Sequence, residues 1–181
     1  MFKTKPDKGS FLVIGGAKSG KSRISLNICN GLMKKKIFLA TAQALDNEMK
    51  IRIERHKKER GEDWITVEEP HGIVDKIRDY DQKDTVILVD CLTLWLNNLF
   101  MKHDMSIQPV YQSIDELVDA LTDIKGVIIL VSNEVGMGIV PDNELARNYR
   151  DMAGSLNQRR AAKARKVIAV IAGMPLVLKD E

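Results

Sequence analysis

The sequence predicts an α/β fold: a mainly parallel sheet with helices on both faces and an antiparallel hairpin at one edge. Three observations carry this. Short apolar runs alternate with longer segments of helical spacing, the pattern of strand–helix–strand units. Runs such as "TVILVD" (85–90) and "GVIILVSNE" (126–134) are apolar almost without a break, as strands buried on both faces must be. The last two runs, "VIAVIAG" and "PLVLK", are joined by a tight turn and should pair antiparallel at an edge.

The elements follow in order. "FLVIG" (11–15) ends in glycine and reads as the first buried strand. Residues 20–34 place Ile24, Ile28 and Leu32 four apart, on one helical face. "KIFLAT" (36–41) is the next strand, and a helix over 46–60 opens on Asp46 as N-cap. "WITVEE" (64–69) has strand composition, with a helix over 71–80 behind it. Helices at about 92–101 and 109–124 lie between the runs at 85–90 and 126–134. In the first of them Leu92, Leu94, Trp95, Leu96 and Leu99 cover more than one face, so part of that surface should need a partner. A long helix spans about 142–165, where Leu145, Tyr149, Met152 and Leu156 form one stripe for a core or a subunit interface. No repeat or low-complexity segment interrupts the pattern. The chain reads as a single domain over 1–181, with 1–10 as a flexible N-terminal extension.

A chain of 181 residues with 44% hydrophobic content can bury a core of its own. Its net charge of +3 is too small an excess for a dedicated nucleic-acid binder. Cys29 and Cys91 are far apart and form no CxxC pair, which argues against a zinc site or redox dithiol and for reduced thiols. The opening "MFKTKPDKGS" has no signal-type apolar stretch, and no run approaches the roughly 20 residues of a membrane span. A cytoplasmic protein is expected.

In parallel sheets, ligands bind beyond the carboxyl ends of the strands. Residues 15–22, "GGAKSGKS", lie at such an end and match the phosphate-loop pattern G-x(4)-G-K-[ST] in full. Gly15, Gly16, Ala17, Lys18, Ser19 and Gly20 can curl their backbone N–H groups around phosphate oxygens. The helix that follows points its positive end at the same anion. Lys21, expected as an exposed loop residue, can reach the β- and γ-phosphates, and Ser22 can ligate Mg²⁺. Asp90, ending a buried strand, is the candidate for the second metal-side oxygen. No guanine signature of the N-K-x-D type is present, so motif alone leaves ATP and GTP both open. "VSNEVGMGIVP" (131–141) is a second loop on the ligand side; spacing leaves open whether Asn133 and Glu134 meet a substrate or metal there or the loop is a flexible connector with Glu134 solvated.

"GGAKSGKS", "ATAQALDNEM", "RIERHKKERGEDW", "VDCLTLWLNNL" and "NEVGMGIVPDNELARNYRDMAGSLNQR" together resemble the bifunctional adenosylcobinamide kinase / adenosylcobinamide-phosphate guanylyltransferase family of cobalamin biosynthesis. The likeness covers about residues 11–178. It implies a RecA-like P-loop NTPase fold, a homotrimer, and two reactions. The first phosphorylates adenosylcobinamide; the second transfers GMP from GTP to that phosphate. It further implies a covalently guanylylated histidine in the helix after the second strand. The run "RI", two residues, then histidine, with tryptophan eight residues later, places this role on His56, with Trp64 keeping register. Nucleotide contacts carry over to the loop from Gly15 to Ser22, to Thr41, Ala42 and Gln43, to Lys57, Lys58, Glu59 and Arg60, and to Glu68 and Asp90. Where the family often has proline after the basic run, this chain has "RGED".

The residues add their own argument for His56. Met49, Ile53 and His56 fall at i, i+4 and i+7, so the imidazole shares the face that points toward the body of the protein. Arg52 and Arg60 lie one turn to either side and offer a triphosphate a cationic cradle. His71 reads as a helix-start residue and His103 as a loop residue. The nearest alternative is a P-loop small-molecule kinase without guanylyl transfer, which has no need of His56. A RecA-like ATPase acting on nucleic acid would want a basic groove, and a nucleotide sensor would bind GTP without forming product.

Overall fold

A computed structural model describes residues 6–181, except for the side chains of Arg52 and Glu59. In chain order the elements are β1 (Gly9–Gly15), α1 (Lys21–Asn30), β2 (Lys35–Ala40), α2 (Asn47–Arg60), β3 (Trp64–Glu68), α3 (Ile73–Tyr80) and β4 (Thr85–Asp90). They continue with α4 (Leu92–Lys102), α5 (Ile107–Ala120), β5 (Val127–Asn133), α6 (Glu144–Lys163), β6 (Lys166–Ile171) and β7 (Met174–Asp180). One sheet holds all seven strands in the order β3-β2-β4-β5-β1-β6-β7. Every pairing is parallel except β6 with β7, the expected edge hairpin.

The central strands carry the core. β4 and β5 have ten of their residues essentially sealed from solvent, Val86 to Val89 and Val127 to Ser132, because helices cover both faces. One face buries Ile37, Leu39, Ile87 and Ile128 against α3, α4, α5 and α6; the other buries Val13, Phe38, Leu88 and Ile129 against α1. At about 25 cal/mol per Å² of apolar surface, each fully buried Leu or Ile contributes roughly 2 kcal/mol before the chain entropy is counted.

Four expectations are corrected. Gly9 and Ser10, assigned to an N-terminal extension, are the first residues of β1, and residues 1–5 lie outside the described residues. Helix α1 stops at Asn30, not 34, because Gly31 ends it; Leu32 keeps helical spacing but is buried in the turn behind. Most of the apolar surface of α4 is covered within the chain, with Leu94 part-buried on the pocket and Met101 exposed. Leu92, Trp95, Leu96 and Leu99 are all buried within this subunit, enclosed by β5, α5 and α6. Helix α5 begins at Ile107, with Pro109 in its first turn, where a missing N–H costs nothing. No described helix is long and apolar enough to cross a membrane.

Candidate active site

The sequence motif between β1 and α1 folds as a tight loop. Gly15 is buried so closely that a Cβ on it would lie 2.4 Å from the Val170 carbonyl oxygen and 2.7 Å from Ser19 Oγ. Gly20 caps α1 with φ 96°, a region that favours glycine. Lys21 is not the exposed residue expected. It is the first residue of α1, 7% exposed, and its Nζ donates to the Gly16 carbonyl at 2.8 Å, bridging the loop. Gly16, Ala17 and Lys18 are exposed. The Ser19 carbonyl accepts the Gly173 N–H at 2.8 Å, so the β6–β7 turn buttresses the loop. The Ser19 hydroxyl is buried with no partner among the described residues, a costly arrangement unless a ligand or water completes it.

Asp90 ends β4, two strands away, yet faces Ser22 across a shared pocket. Among the described residues no hydrogen bond takes up the Ser22 hydroxyl or the Asp90 carboxylate. Two hard oxygens facing one pocket form a donor set that suits Mg²⁺, which prefers one or two protein oxygens plus phosphates.

Helix α2 forms the opposite wall. The Asp46 side chain caps it by accepting the Met49 N–H at 2.7 Å, and Gly61, with φ 80°, ends it in the "RGED" segment. Met49, Ile53 and His56 all line the pocket that holds Ser22 and Asp90. Arg60 lines it too, but as a packed group. Its guanidinium sits 3.8 Å above the Phe38 ring, and Nη2 donates to Thr66 Oγ1 at 3.4 Å. Phe38 meets Trp64 edge to face at 6.1 Å, and the Trp64 indole donates to Asn30. The stack Arg60–Phe38–Trp64 therefore fixes the end of α2 against β2 and β3. The side chains of Arg52 and Glu59 are outside the described residues.

A second recess, lined by Ala42, Gln43, Lys57 and Glu68, adjoins the first through Ala42 and Lys57. Lys57 Nζ pairs with Glu68 Oε1 at 2.8 Å, and this hydrogen bond raises the lysine above its ordinary value. Lys58 is exposed and lines neither recess.

Thr41 is corrected from nucleotide contact to internal clamp. It is fully buried; its hydroxyl accepts from the Cys91 N–H at 2.8 Å and donates to the Cys91 carbonyl at 2.9 Å. Both cysteines are free and buried, and burial pushes both thiols up, so neither is an activated nucleophile.

Sequence reasoning missed a polar layer beneath the loops. Asn98 Nδ2 donates to the Thr41 and Pro70 carbonyls, and Trp95 Nε1 donates to the His71 carbonyl at 2.7 Å. Thr93 accepts from Asn133 Nδ2 at 2.7 Å, while its carbonyl accepts from the Tyr149 hydroxyl. The signal was an isolated polar side chain in an apolar helix, as in "LWLNNLF". His71 precedes α3, where its N–H donates to Glu69, and His103 caps the end of α4.

A family model described as cobinamide kinase / cobinamide phosphate guanyltransferase matches residues 11–178. The bifunctional adenosylcobalamin biosynthesis protein CobP of Pseudomonas aeruginosa is 42% identical over 170 residues, covering 94% of this chain and 97% of that protein. The bifunctional adenosylcobalamin biosynthesis protein CobU of Escherichia coli is 38% identical over 181 residues, covering 93% and 98%. A type III secretion system ATPase from pathogenic bacteria superposes with TM-score 0.58 at 12% identity, over 93% of this chain and 56% of that one. That likeness concerns the fold alone, a RecA-like P-loop NTPase architecture.

Proposed function

This chain belongs to the cobinamide kinase / cobinamide phosphate guanyltransferase family, and from that premise we propose how its residues divide the two reactions. The first reaction phosphorylates adenosylcobinamide, and the second passes GMP from GTP to the new phosphate. His56 is the residue that carries GMP between them. One observation supports this above others: His56, Ser22 and Asp90 line a single pocket, although they come from α2, α1 and β4. A nucleotide held by its phosphates at the loop would therefore have its α-phosphate within reach of the imidazole.

The roles follow from the geometry. The loop from Gly15 to Ser22 grips the β- and γ-phosphates, and Lys21 exchanges its bond to the Gly16 carbonyl for a phosphate oxygen. Ser22 and Asp90 would hold Mg²⁺, which neutralises phosphate charge. The His56 ring nitrogen attacks the α-phosphorus of GTP; a P–N bond forms and pyrophosphate departs with the electron pair of the broken P–O bond. Lys57, beside the histidine on the same pocket, stabilises that charge, and Arg60, packed on Phe38, adds positive potential from the pocket wall. The phosphate of adenosylcobinamide phosphate then displaces His56, giving adenosylcobinamide-GDP and restoring the free ring. ATP and GTP both fit the loop as phosphoryl donors for the kinase step. A cytoplasmic setting suits substrates of this kind.

A homotrimer is part of the same reading. What supports it is the 134–141 loop and the β7 edge, where Ile139 (98% exposed), Met174 (68%) and Leu176 (55%) present apolar surface to solvent.

The test is a mass measurement. With Mg²⁺ and GTP but no corrinoid, the protein should gain one GMP, acid-labile and alkali-stable as a phosphoramidate is. His56→Ala and Lys21→Ala should gain none. Peptide mapping that put GMP on Lys57, Lys58 or His71 would overturn the assignment.

A further inference from the structure

We propose that Glu134 is the catalytic base of the kinase step, taking the proton from the acceptor alcohol. This rests on the functional reading above and adds a residue to it. Four observations carry it. First, β5 is hydrogen-bonded on one side to β1, the strand of the phosphate loop, and on the other to β4, the strand of Asp90. Its carboxyl end therefore lies between the group that grips phosphate and the group that faces the metal. Second, the register is close: Asn133 lies opposite Gly15, and the Glu134 N–H donates to the Gly15 carbonyl at 3.0 Å. The residue is pinned beside the first glycine of the loop.

Third, the other described carboxylates at the ends of these strands are committed elsewhere. Glu68 pairs with Lys57, Glu69 accepts the N–H groups of His71 and Gly72, and Asp90 faces Ser22. Fourth, Glu134 does not line the His56 pocket. It borders an open groove of about 700 Å³ whose walls include Ile14, Gly136, Ser155 and Gln158. Sites for small molecules fall in this size range, and an open mouth admits the reactive arm of an acceptor too large to be enclosed. The groove and the His56 pocket share no lining residue, so the acceptor alcohol can approach the loop from the Glu134 side without crossing the histidine.

The step balances. The alcohol O–H gives its proton to the Glu134 carboxylate while its oxygen forms a bond to the γ-phosphorus. The bond from that phosphorus to the β,γ-bridging oxygen breaks, and its electron pair leaves on the nucleoside diphosphate. Glu134 later returns the proton to solvent. One carboxylate oxygen, Oε1, accepts the Gly136 N–H at 2.8 Å, which orients the group and leaves the second oxygen for the alcohol.

Glu134→Gln keeps the shape and the acceptor for Gly136 but removes the base. Its kcat for phosphorylating adenosylcobinamide should fall about 100-fold or more, with KM for nucleotide changed less than about threefold. Glu134→Asp should recover part of kcat. Guanylyl transfer to prepared adenosylcobinamide phosphate, and the GMP adduct on His56, should persist in Glu134→Gln. Kinase turnover within about threefold of the parent would overturn the proposal. So would a parallel loss of both reactions, which would mark Glu134 as support for the loop. A GMP adduct missing from the parent protein would strike the His56 assignment and leave this kinase result readable on its own.

Discussion

Gly15→Ala should destabilise the protein even with no nucleotide present. The usual account of phosphate-loop glycines is that the backbone must approach phosphate. Here the neighbour that forbids a side chain is the protein itself. A Cβ on Gly15 would stand 2.4 Å from the Val170 carbonyl oxygen, a backbone atom that cannot swing aside, and 2.7 Å from Ser19 Oγ. Relief requires the ends of β1 and β6 to part or the loop to shift. Overpacking of this kind costs about 1–3 kcal/mol, and a backbone obstacle puts the figure toward about 3. For a chain of this size that lowers Tm by about 6–12 °C. Gly16→Ala is the matched control. Nothing lies within 4 Å of its Cβ position, so its stability should change by less than about 0.5 kcal/mol. The assay is thermal or urea unfolding of both variants in nucleotide-free buffer. If the two unfold together with the parent, Gly15 is not held by contact with β6, and the reasoning fails.

Two more predictions follow. Burial raises the Glu69 carboxyl, but the N–H groups of Gly72 and His71 outweigh it and hold the group below its ordinary value. Its stabilisation is therefore present above the unfolded value of about 4.3 and is lost as pH falls through the folded one. Glu69→Gln should lose about 1 kcal/mol at neutral pH, after allowing for solvent screening of a partly exposed group. Urea titrations should show the gap closing on acidification below about pH 4; a gap that stays constant or widens would refute the role given to the two N–H groups. For the oligomer, light scattering at micromolar concentration should return about three times the 20.4 kDa of one chain; the mass of a single chain would refute the trimer.

The parallel strands were legible because burial on both faces leaves no polar alternation to confuse the reading, as in Val86 to Val89. The phosphate loop was legible because its spacing is a backbone requirement. The facing of His56 was legible because i, i+4, i+7 spacing fixes a face, and Met49, Ile53 and His56 do line one pocket. Other features were closed to sequence for specific reasons. At the end of a strand, periodicity cannot say whether a hydroxyl turns inward, so Thr41 was assigned to the ligand while its hydrogen bonds go to Cys91. A helix apolar on several faces reads the same whether another chain or its own subunit covers it, and Leu92, Trp95, Leu96 and Leu99 of α4 are covered by their own. Lys21 looked exposed because a loop motif does not show that the side chain folds back to the Gly16 carbonyl as the first residue of α1.

That hairpin links the two halves of the site. The β6–β7 turn reaches the loop through Gly173 and Ser19, and Gly20 leaves only 3.2 Å between its would-be Cβ and the Gly173 Cα. The same hairpin places Leu178 on the groove bordered by Glu134 and exposes Met174 and Leu176 at the sheet edge. In the proposed trimer, contacts at that edge would bear on the turn that buttresses the phosphate grip. On the opposite side, His56 sits on α2, whose far end is locked by the Arg60–Phe38–Trp64 stack and whose start is held by the Asp46 cap. The grip shared by both reactions is thus braced from the hairpin, while the histidine is braced from β2 and β3. Damage to one brace need not damage the other. The two proposed reactions should therefore be separable by substitution at Glu134 and His56, and lost together at Lys21.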